Sequence, residues 1–146
     1  MMKARLLLVD DEEHFIQPLS ERLSMRNYDV TIAMSGEEAL EKLKHYNYDV
    51  AVLDVDMKGI NGIDTLKEIK VIKPLIEVIM LTGHGTVKSA VEGMKLGAID
   101  YLLKPCELDE LIEKIDRAHD EKYKTEERIR EDKMKDALSS PRSVFK

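Results

Sequence analysis

Five short apolar runs along the chain are each followed by a polar residue and then by a helical pattern. The runs are rich in Leu, Val and Ile, which favours buried strands, and apolar residues recur at helical spacing between them. Strands that alternate with helices predict a parallel sheet whose strands are joined by crossover helices. The predicted strands cover residues 4–9, 29–34, 50–53, 76–81 and 98–103.

Residues that cap or break helices indicate where the helices between these strands begin and end. Ser35 followed by Glu38 forms a capping box that opens the second helix, and Gly97 is placed to end the fourth helix in a left-handed turn. The fourth helix carries apolar residues at amphipathic spacing, and the last helix begins near Glu107. Pro18 lies inside the first helical pattern, so we expect a distorted first turn or a late start there.

Five strand–helix units predict an α/β fold: a flavodoxin-like, doubly wound (βα)5 parallel sheet with strand order 2-1-3-4-5. In such a sheet the residues just past the strand ends meet at one edge, where open α/β sheets bind ligands. The residues in that position include Asp10, Asp11, Asp54, Thr82 and Lys104. We therefore expect them to form one site.

The composition changes after the fifth unit. Residues 122–136 are dominated by charged side chains, which indicates that the last helix extends into solvent and is supported by neighbouring ion pairs. The helix is expected to end near residues 139–141, with a disordered tail beyond it. We predict two segments, a folded domain over 1–121 and a charged helical extension over 122–146. The extension is either a solvated tail or a surface for a partner or a second copy.

The predicted site has the chemistry of a divalent cation and a phosphoryl group. The strand order would place Asp10, Asp11 and Asp54 together, and bare carboxylates so close would repel one another. A hard cation removes that conflict, and Mg²⁺ prefers oxygen ligands while keeping several waters. We therefore predict a partial Mg²⁺ site with open positions for a phosphate.

Asp54 is the expected nucleophile, because a carboxylate can accept a phosphoryl group. Phosphoryl transfer requires mainly positioning and stabilisation of charge on the transferring oxygens. Lys104 would supply a cationic contact and Thr82 a hydrogen bond. Backbone N–H groups of residues 57–59 and of Gly83 could add further donors.

The composition limits the cellular compartments and the kinds of partner that we expect for this protein. The net charge of −6 argues against general binding to nucleic acid or to anionic membranes. The single cysteine, Cys106, excludes an internal disulfide and fits a reducing compartment. The apolar run near the start is too short for a signal peptide, and no run could span a bilayer. We expect a cytoplasmic protein without direct nucleic-acid or membrane contact.

At these residues the chain resembles the receiver domain of two-component response regulators. The resemblance covers about residues 3–119 and rests on five motifs: the acidic pair Asp10-Asp11, the segment 52–57 around Asp54, the loop 59–62, the strand end 80–83, and residues 97–105, which end in Lys104-Pro105. Together these motifs are highly specific.

The resemblance implies that a sensor histidine kinase or a small phosphodonor phosphorylates Asp54. Mg²⁺ would be bound directly by Asp11, Asp54 and the backbone carbonyl of Asp56, and by Asp10 through water. Thr82 and Lys104 would contact the phosphoryl group, and the Lys104–Pro105 bond would be cis. Such a domain is a phosphorelay switch and not an enzyme, since it catalyses only its own phosphorylation and slow autodephosphorylation.

The resemblance also implies that Tyr101 is the switch aromatic. Its ring would rotate inward when Thr82 moves towards the phosphoryl group, and this would remodel the surface of the fourth helix, the fifth strand and the fifth helix. A half-exposed strand tyrosine without that role is the alternative. No DNA-binding, ATPase or catalytic motif follows, so we expect a stand-alone receiver or the leading part of a longer regulator. Output would pass to a downstream protein target, an output domain or a homodimer formed by the final helices.

Three residues depart from the common family pattern. Lys58 replaces a proline and leaves its loop more mobile, and Gly83 replaces an alanine, which lowers the steric barrier to loop movement. Asp56 places an extra carboxylate two residues after the nucleophile. Its charge is predicted to alter autodephosphorylation.

Two other classes of function fit part of the pattern. A haloacid-dehalogenase-type phosphohydrolase also uses a D-x-D motif, as in Asp54-Val55-Asp56, but there the motif follows the first strand and a cap region encloses the substrate. A pseudo-receiver would keep the fold without being phosphorylated. The intact set of five site residues argues against this class. Steady turnover of phosphate esters would identify the first class, and indifference to beryllofluoride with Mg²⁺ the second.

Overall fold

The structure is a computed structural model that describes residues 3–57, 61–83 and 87–139, and for Val87 the backbone alone. The sequence predictions for Lys58, for Gly59 and for the tail after Ser139 lie outside the described residues. The strands are β1 Arg5–Val9, β2 Asp29–Ala33, β3 Val50–Leu53, β4 Glu77–Thr82 and β5 Asp100–Leu103. The helices are α1 Glu13–Met25, α2 Gly36–His45, α3 Gly62–Ile72, α4 Val87–Lys95 and α5 Leu108–Ser139.

The five strands form one parallel sheet in the order β2-β1-β3-β4-β5, which confirms the predicted fold. Successive strand residues point to opposite sides of the sheet, and helices cover both sides, so the sheet is buried on both faces. One core packs strand residues such as Leu7 and Leu53 against α2 and α3. The other packs Leu8 and Ile79 against α1 and α5.

Local sequence signals explain several element ends. The Ser35 hydroxyl accepts a hydrogen bond from the Glu38 N–H at 3.0 Å, and the Glu38 carboxylate accepts one from the Met34 N–H at 2.9 Å. Two N–H groups at the start of α2 are thereby satisfied. Gly97 has a φ of +109°, as the predicted left-handed helix end requires.

Two local predictions differ from the structure. The first helix starts at Glu13 in spite of Pro18, so the late start was wrong; Ile16 and Leu23 bury its inner face while Pro18 stays exposed. Thr82 is the last residue of β4 and not the first after it, because it still pairs with β5. Helix α4 forms where the amphipathic spacing predicts it, and its Val91 and Met94 are each 46% exposed.

The final helix, α5, continues without a break from Leu108 to Ser139, as the predicted extension requires. Its first part packs Leu111 and Ile115 into the core. Further along, the Lys122 ammonium lies 3.3 Å from the Asp49 carboxylate next to β3 and 2.9 Å from Glu126. The ion pair to Asp49 ties the start of the extension to the body of the domain, whereas residues 128–139 are exposed. The boundary at residue 121 stays a prediction.

None of the helices in the described residues is long and apolar enough to cross a membrane.

Candidate functional site

Backbone hydrogen bonds that continue past the strand ends bring the candidate residues to one edge. The Asp54 N–H donates to the Val9 carbonyl at 2.9 Å, which places Asp54 beside the end of β1. The Lys104 N–H donates to the Thr82 carbonyl at 2.8 Å, which does the same for β4 and β5. Asp10, Asp54, Thr82 and Lys104 therefore share one edge of the sheet, as the sequence predicted.

Gly62 lets the start of α3 approach the end of β3. A Cβ atom at this position would lie 2.3 Å from the Asp54 carbonyl oxygen and 2.4 Å from the Cα of Val55. Both neighbours are backbone atoms, so side-chain movement cannot relieve the contact. The Gly62 N–H also donates to the Val55 carbonyl at 3.0 Å. The glycine thus fixes the backbone on which the Asp54 side chain stands.

Gly62→Ala should destabilise the protein by about 1–3 kcal/mol, because the added methyl group forces the backbone of Asp54 to move. Urea unfolding followed by circular dichroism measures the loss. Gly83→Ala is the matched control: among the described residues, the only neighbour near its added Cβ is the Lys104 Cδ, at 4.0 Å. Equal stability of the two variants would contradict the close approach at Gly62.

Three carboxylates meet at this edge. Asp10, Glu12 and Asp54 each offer an oxygen within 4.8 Å of the others; Asp10 and Asp54 are buried and Glu12 is exposed. Among the described residues this group includes Glu12 and not Asp11, although Asp11 was the predicted direct ligand. Both Asp10 and Glu12 bind the Lys104 ammonium, which accounts for their approach. The individual metal-binding roles of Asp10, Asp11, Asp54 and the Asp56 carbonyl stay predictions.

The Lys104 ammonium is the counter-ion of the acidic group. It lies 2.6 Å from the Asp10 carboxylate, 3.3 Å from Glu12 and 3.6 Å from Asp54. It also lies 4.2 Å from the centre of the Phe15 ring, within the range of a cation–π contact. Burial disfavours its charge, but the hydrogen bond to Asp10 and the charges of Asp10 and Asp54 outweigh burial and raise the pKa of Lys104.

The two carboxylate oxygens of Asp54 differ in their hydrogen bonding. Its Oδ1 accepts a hydrogen bond from the Asp56 N–H at 3.1 Å, whereas the buried Oδ2 has no hydrogen-bond partner among the described residues. Burial raises the pKa of Asp54 to about 6, and the charges of Asp10 and Asp56 act in the same direction. The hydrogen bond from the Asp56 N–H and the charge of Lys104 oppose that rise.

The residues present fit a hard divalent cation. A buried carboxylate oxygen without a hydrogen-bond partner, with two further carboxylates within reach, is a set of donors that Mg²⁺ prefers. Burial, together with the charges of Asp10 and Asp56, raises the pKa of Asp54, and a bound cation would favour its ionised form. Asp10, Glu12 and Asp54 are the residues that the structure brings together for such an ion.

Thr82 is fully buried, and its hydroxyl donates a hydrogen bond to the Asp56 carboxylate at 3.0 Å. Since the buried Oδ2 of Asp54 has no hydrogen-bond partner, the Thr82 hydroxyl does not bind that oxygen in this structure. The predicted contact of Thr82 with a phosphoryl group on Asp54 therefore needs the hydroxyl to change its acceptor.

Tyr101 lies on β5 opposite Met80 and packs against the core beneath α4. Its hydroxyl is buried and has no hydrogen-bond partner among the described residues. Within the part of the chain that the structure describes, no hydrogen bond from this hydroxyl holds the ring in place. The Lys104–Pro105 peptide bond is cis, as the resemblance implied.

Sequence reasoning assigned no functional role to the side chains of Glu12 and Phe15. Glu12 follows the acidic pair directly and Phe15 lies four residues after Asp11, and both side chains contact the Lys104 ammonium. The one sequence signal that could have indicated these contacts is helical spacing, since residues 12 and 15 are one turn apart at the start of α1. The contact of Asp56 with Thr82 was also missed, because it joins two strand ends that are 26 residues apart in sequence.

Comparisons with known proteins agree with this geometry. The family model of the response regulator receiver domain matches residues 6–116. The receiver domain protein (CheY-like) of Methanospirillum hungatei is 29% identical, with a TM-score of 0.81 over 86% of this chain and 99% of that one. The receiver domain protein of Clostridium thermocellum is 36% identical, with a TM-score of 0.78 over 83% of this chain and 98% of that one.

Longer regulators also match. The transcriptional regulatory protein ZraR of Escherichia coli is 40% identical over 77% of this chain, which spans 26% of ZraR. The alginate biosynthesis transcriptional regulatory protein AlgB of Pseudomonas aeruginosa is 37% identical over 75% of this chain, which spans 24% of AlgB. The chain thus spans about a quarter of the length of these relatives.

The expectation of no nucleic-acid partner needs correction in this light. ZraR and AlgB are transcriptional regulatory proteins by name, so regulators of this kind conflict with it. The net charge of one segment carries no information about the rest of a longer regulator. With a family model matching most of its length and full-length receiver structures above 30% identity, this chain belongs to the response regulator receiver domain family.

Proposed function

We propose that Asp54 accepts a phosphoryl group in a Mg²⁺-dependent reaction, and that the resulting change of conformation alters partner binding or self-association. The observation that carries this proposal is the buried Oδ2 of Asp54, which has no hydrogen-bond partner among the described residues and lies 3.6 Å from the Lys104 ammonium. A carboxylate oxygen so placed is desolvated and available as a nucleophile.

The transfer forms one bond and breaks one. A carboxylate oxygen of Asp54 attacks the phosphorus, and the bond from phosphorus to the donor breaks, with its electron pair leaving on the donor nitrogen or oxygen. Lys104 is placed to neutralise the oxygens of the transferring group, and Thr82 to donate a hydrogen bond once its hydroxyl is released. When bound, Mg²⁺ supplies the remaining positive charge that phosphoryl transfer requires.

The protonation of Asp54 matters for its role as a nucleophile. Burial raises its pKa to about 6, so in the metal-free protein the carboxylate predominates above that value. The neighbouring ammonium of Lys104 keeps its proton, because its pKa is raised as well. Both groups are then in the required state at neutral pH.

Labelling by a small phosphodonor such as acetyl phosphate tests the proposal. In Mg²⁺ at pH 7.5 the parent protein should take up close to one phosphoryl group per chain, and Asp54→Asn should take up none. Asp64→Asn, an exposed carboxylate at the start of α3, is the control and should label normally. Equal labelling of parent and Asp54→Asn would contradict the proposal. Sustained turnover of phosphate esters would favour the phosphohydrolase instead.

The predicted partners belong to the same proposal. A sensor histidine kinase would supply the phosphoryl group, and a downstream target or output domain would bind the face between α4 and α5. Val91 and Met94 on α4 and Leu103 on β5 are partly exposed there, so the face offers apolar contact. The cytoplasmic location, the homodimer through the final helices and the restriction of catalysis to self-phosphorylation and autodephosphorylation stay predictions.

A further inference from the structure

Asp56 connects the two groups that must meet when the domain is phosphorylated. Its backbone N–H donates to the Oδ1 of Asp54 at 3.1 Å, and its carboxylate accepts the Thr82 hydroxyl proton at 3.0 Å. Its side chain is exposed, whereas the Thr82 hydroxyl that it binds belongs to a fully buried residue. Asp56 therefore reaches the site from the solvent side.

The hydroxyl of Thr82 can serve only one strong acceptor at a time. A threonine hydroxyl has a single O–H donor, and a carboxylate is a stronger acceptor than a neutral oxygen. While Asp56 holds that proton, it is not available to a phosphoryl oxygen on Asp54. Formation of the phosphorylated arrangement therefore requires the bond between Asp56 and Thr82 to break.

We propose that the Asp56 carboxylate is a positioning residue that holds the Thr82 hydroxyl in the unphosphorylated position and so sets the free-energy cost of switching. The inference rests on the proposed phosphorylation of Asp54 and adds the group that opposes it. Asp56 acts on the phosphorylation site mainly through its hydrogen bond to Thr82.

Charge strengthens the effect in the same direction. Asp56 lies two residues after Asp54, and its backbone N–H donates to the Oδ1 of Asp54 at 3.1 Å, so its carboxylate adds negative charge beside the phosphorylation site. A phosphoryl group adds further negative charge on Asp54, so repulsion by Asp56 grows at the moment when Thr82 must move. The contribution through Thr82 and the contribution of bare charge can be separated, because only the first depends on the hydroxyl.

A double-mutant cycle with beryllofluoride separates them. Beryllofluoride with Mg²⁺ is the probe in place of the phosphoryl group, and the titration is followed by NMR signals of backbone amides in the sheet. The single variants are Asp56→Ala and Thr82→Ala, and the cycle is completed by their combination. Asp56→Asn keeps an acceptor oxygen without the charge. Asp64→Asn, whose side chain lines the same surface groove as Asp56, controls for general loss of a surface charge.

Asp56→Ala should lower the beryllofluoride concentration at half-saturation by about tenfold, since a hydrogen bond to a charged acceptor is removed from the resting state. Asp56→Asn should lower it by roughly threefold, because the weaker neutral acceptor remains. In the Thr82→Ala background the effect of Asp56→Ala should shrink to less than about twofold, because the hydroxyl through which Asp56 acts is gone. Asp64→Asn should leave the titration unchanged.

The spectrum without beryllofluoride gives a second readout that a purely structural role would not produce. In Asp56→Ala the signals of Thr82 should move part of the way towards their positions in the bound protein, because the resting position is no longer held. A tenfold effect that persists without the Thr82 hydroxyl would overturn the proposal in favour of charge alone. Binding by Asp56→Ala that is no tighter than that of the parent would also overturn it.

The parent protein distinguishes failure of this inference from failure of the proposed function. If the parent does not respond to beryllofluoride and Mg²⁺, the phosphorylation site and the inference fall together. If the parent responds and Asp54→Asn does not, the site stands, and the cycle alone decides the role of Asp56.

Discussion

Asp54→Asn should make the protein more stable at pH 7.5 when no divalent cation is present, by about 1–3 kcal/mol. Asp54 is 3% exposed, and burial together with nearby carboxylates raises its pKa from 3.8 to about 6. Keeping it ionised in the folded protein therefore costs free energy that the unfolded chain does not lose. Asparagine has a similar shape and no charge, so it removes this cost.

The pH dependence of that gain follows from the direction of the shift. Between pH values of about 4 and 6 the folded protein holds the Asp54 proton more tightly than the unfolded chain does. The contribution of Asp54 to stability therefore falls as the pH rises through this window. Below about pH 4 both states are protonated, so parent and Asp54→Asn should be equally stable apart from the substitution itself.

Thermal unfolding in EDTA at pH 4 and at pH 7.5 measures the effect. At the higher pH the melting temperature of Asp54→Asn should exceed that of the parent by several degrees, given about 2–4 °C per kcal/mol for a protein of this size. Asp64→Asn, at an exposed position, should melt like the parent at both pH values. A variant less stable than the parent at pH 7.5 would contradict the electrostatic account of Asp54.

Removal of the Lys104 ammonium should have the opposite and larger effect. Lys104→Met leaves Asp10 and Asp54 without their cation, and loss of one partner from a buried ion pair typically costs about 3–5 kcal/mol. The Lys104 side chain is only 10% exposed, so solvent screens this loss weakly. Methionine preserves most of the aliphatic packing but removes the ammonium near the Phe15 ring, so the measured loss includes that cation–π contact.

Magnesium should restore much of the stability lost in Lys104→Met, because a cation bound by the same carboxylates replaces the missing charge. Urea unfolding at pH 7.5, once in EDTA and once in about 10 mM MgCl₂, measures both effects. The control is Lys114→Met, which removes the partner of Asp100 from a pair whose side chains are 22% and 28% exposed. Lys114→Met should lose less stability and gain nothing from Mg²⁺. Equal rescue of both variants would contradict a cation site at Asp10 and Asp54.

These two variants describe a site that is kept unstable for its chemistry. A buried carboxylate with a free oxygen is costly, and the adjacent ammonium offsets only part of that cost. A site optimised for stability alone would have a neutral residue in place of Asp54 or a hydrogen-bond donor for its second oxygen. The proposed phosphoryl transfer needs that oxygen available, and local rules of stability are commonly broken at functional sites for this reason.

The sequence predicted the fold well because period and strand length are local properties. Apolar runs of four to six residues, bounded by caps such as Ser35 and Gly97, gave the strands and the helices between them. Element ends were predicted less well. The end of β4 at Thr82 and the start of β5 depend on which backbone groups pair with the neighbouring strand. That pairing cannot be predicted from either segment alone.

For the site, the sequence by itself determined which residue types lie at the carboxyl edge of the sheet, since strand order and direction fix the meeting of Asp10, Asp54, Thr82 and Lys104. Only the tertiary structure decided their contacts. It added Glu12 to the carboxylates, placed the Lys104 ammonium among them, and joined the Thr82 hydroxyl to Asp56. The physical reason is reach: side-chain contacts across strand ends depend on rotamers and on competing charges a few ångströms apart, and neither has a period along the chain.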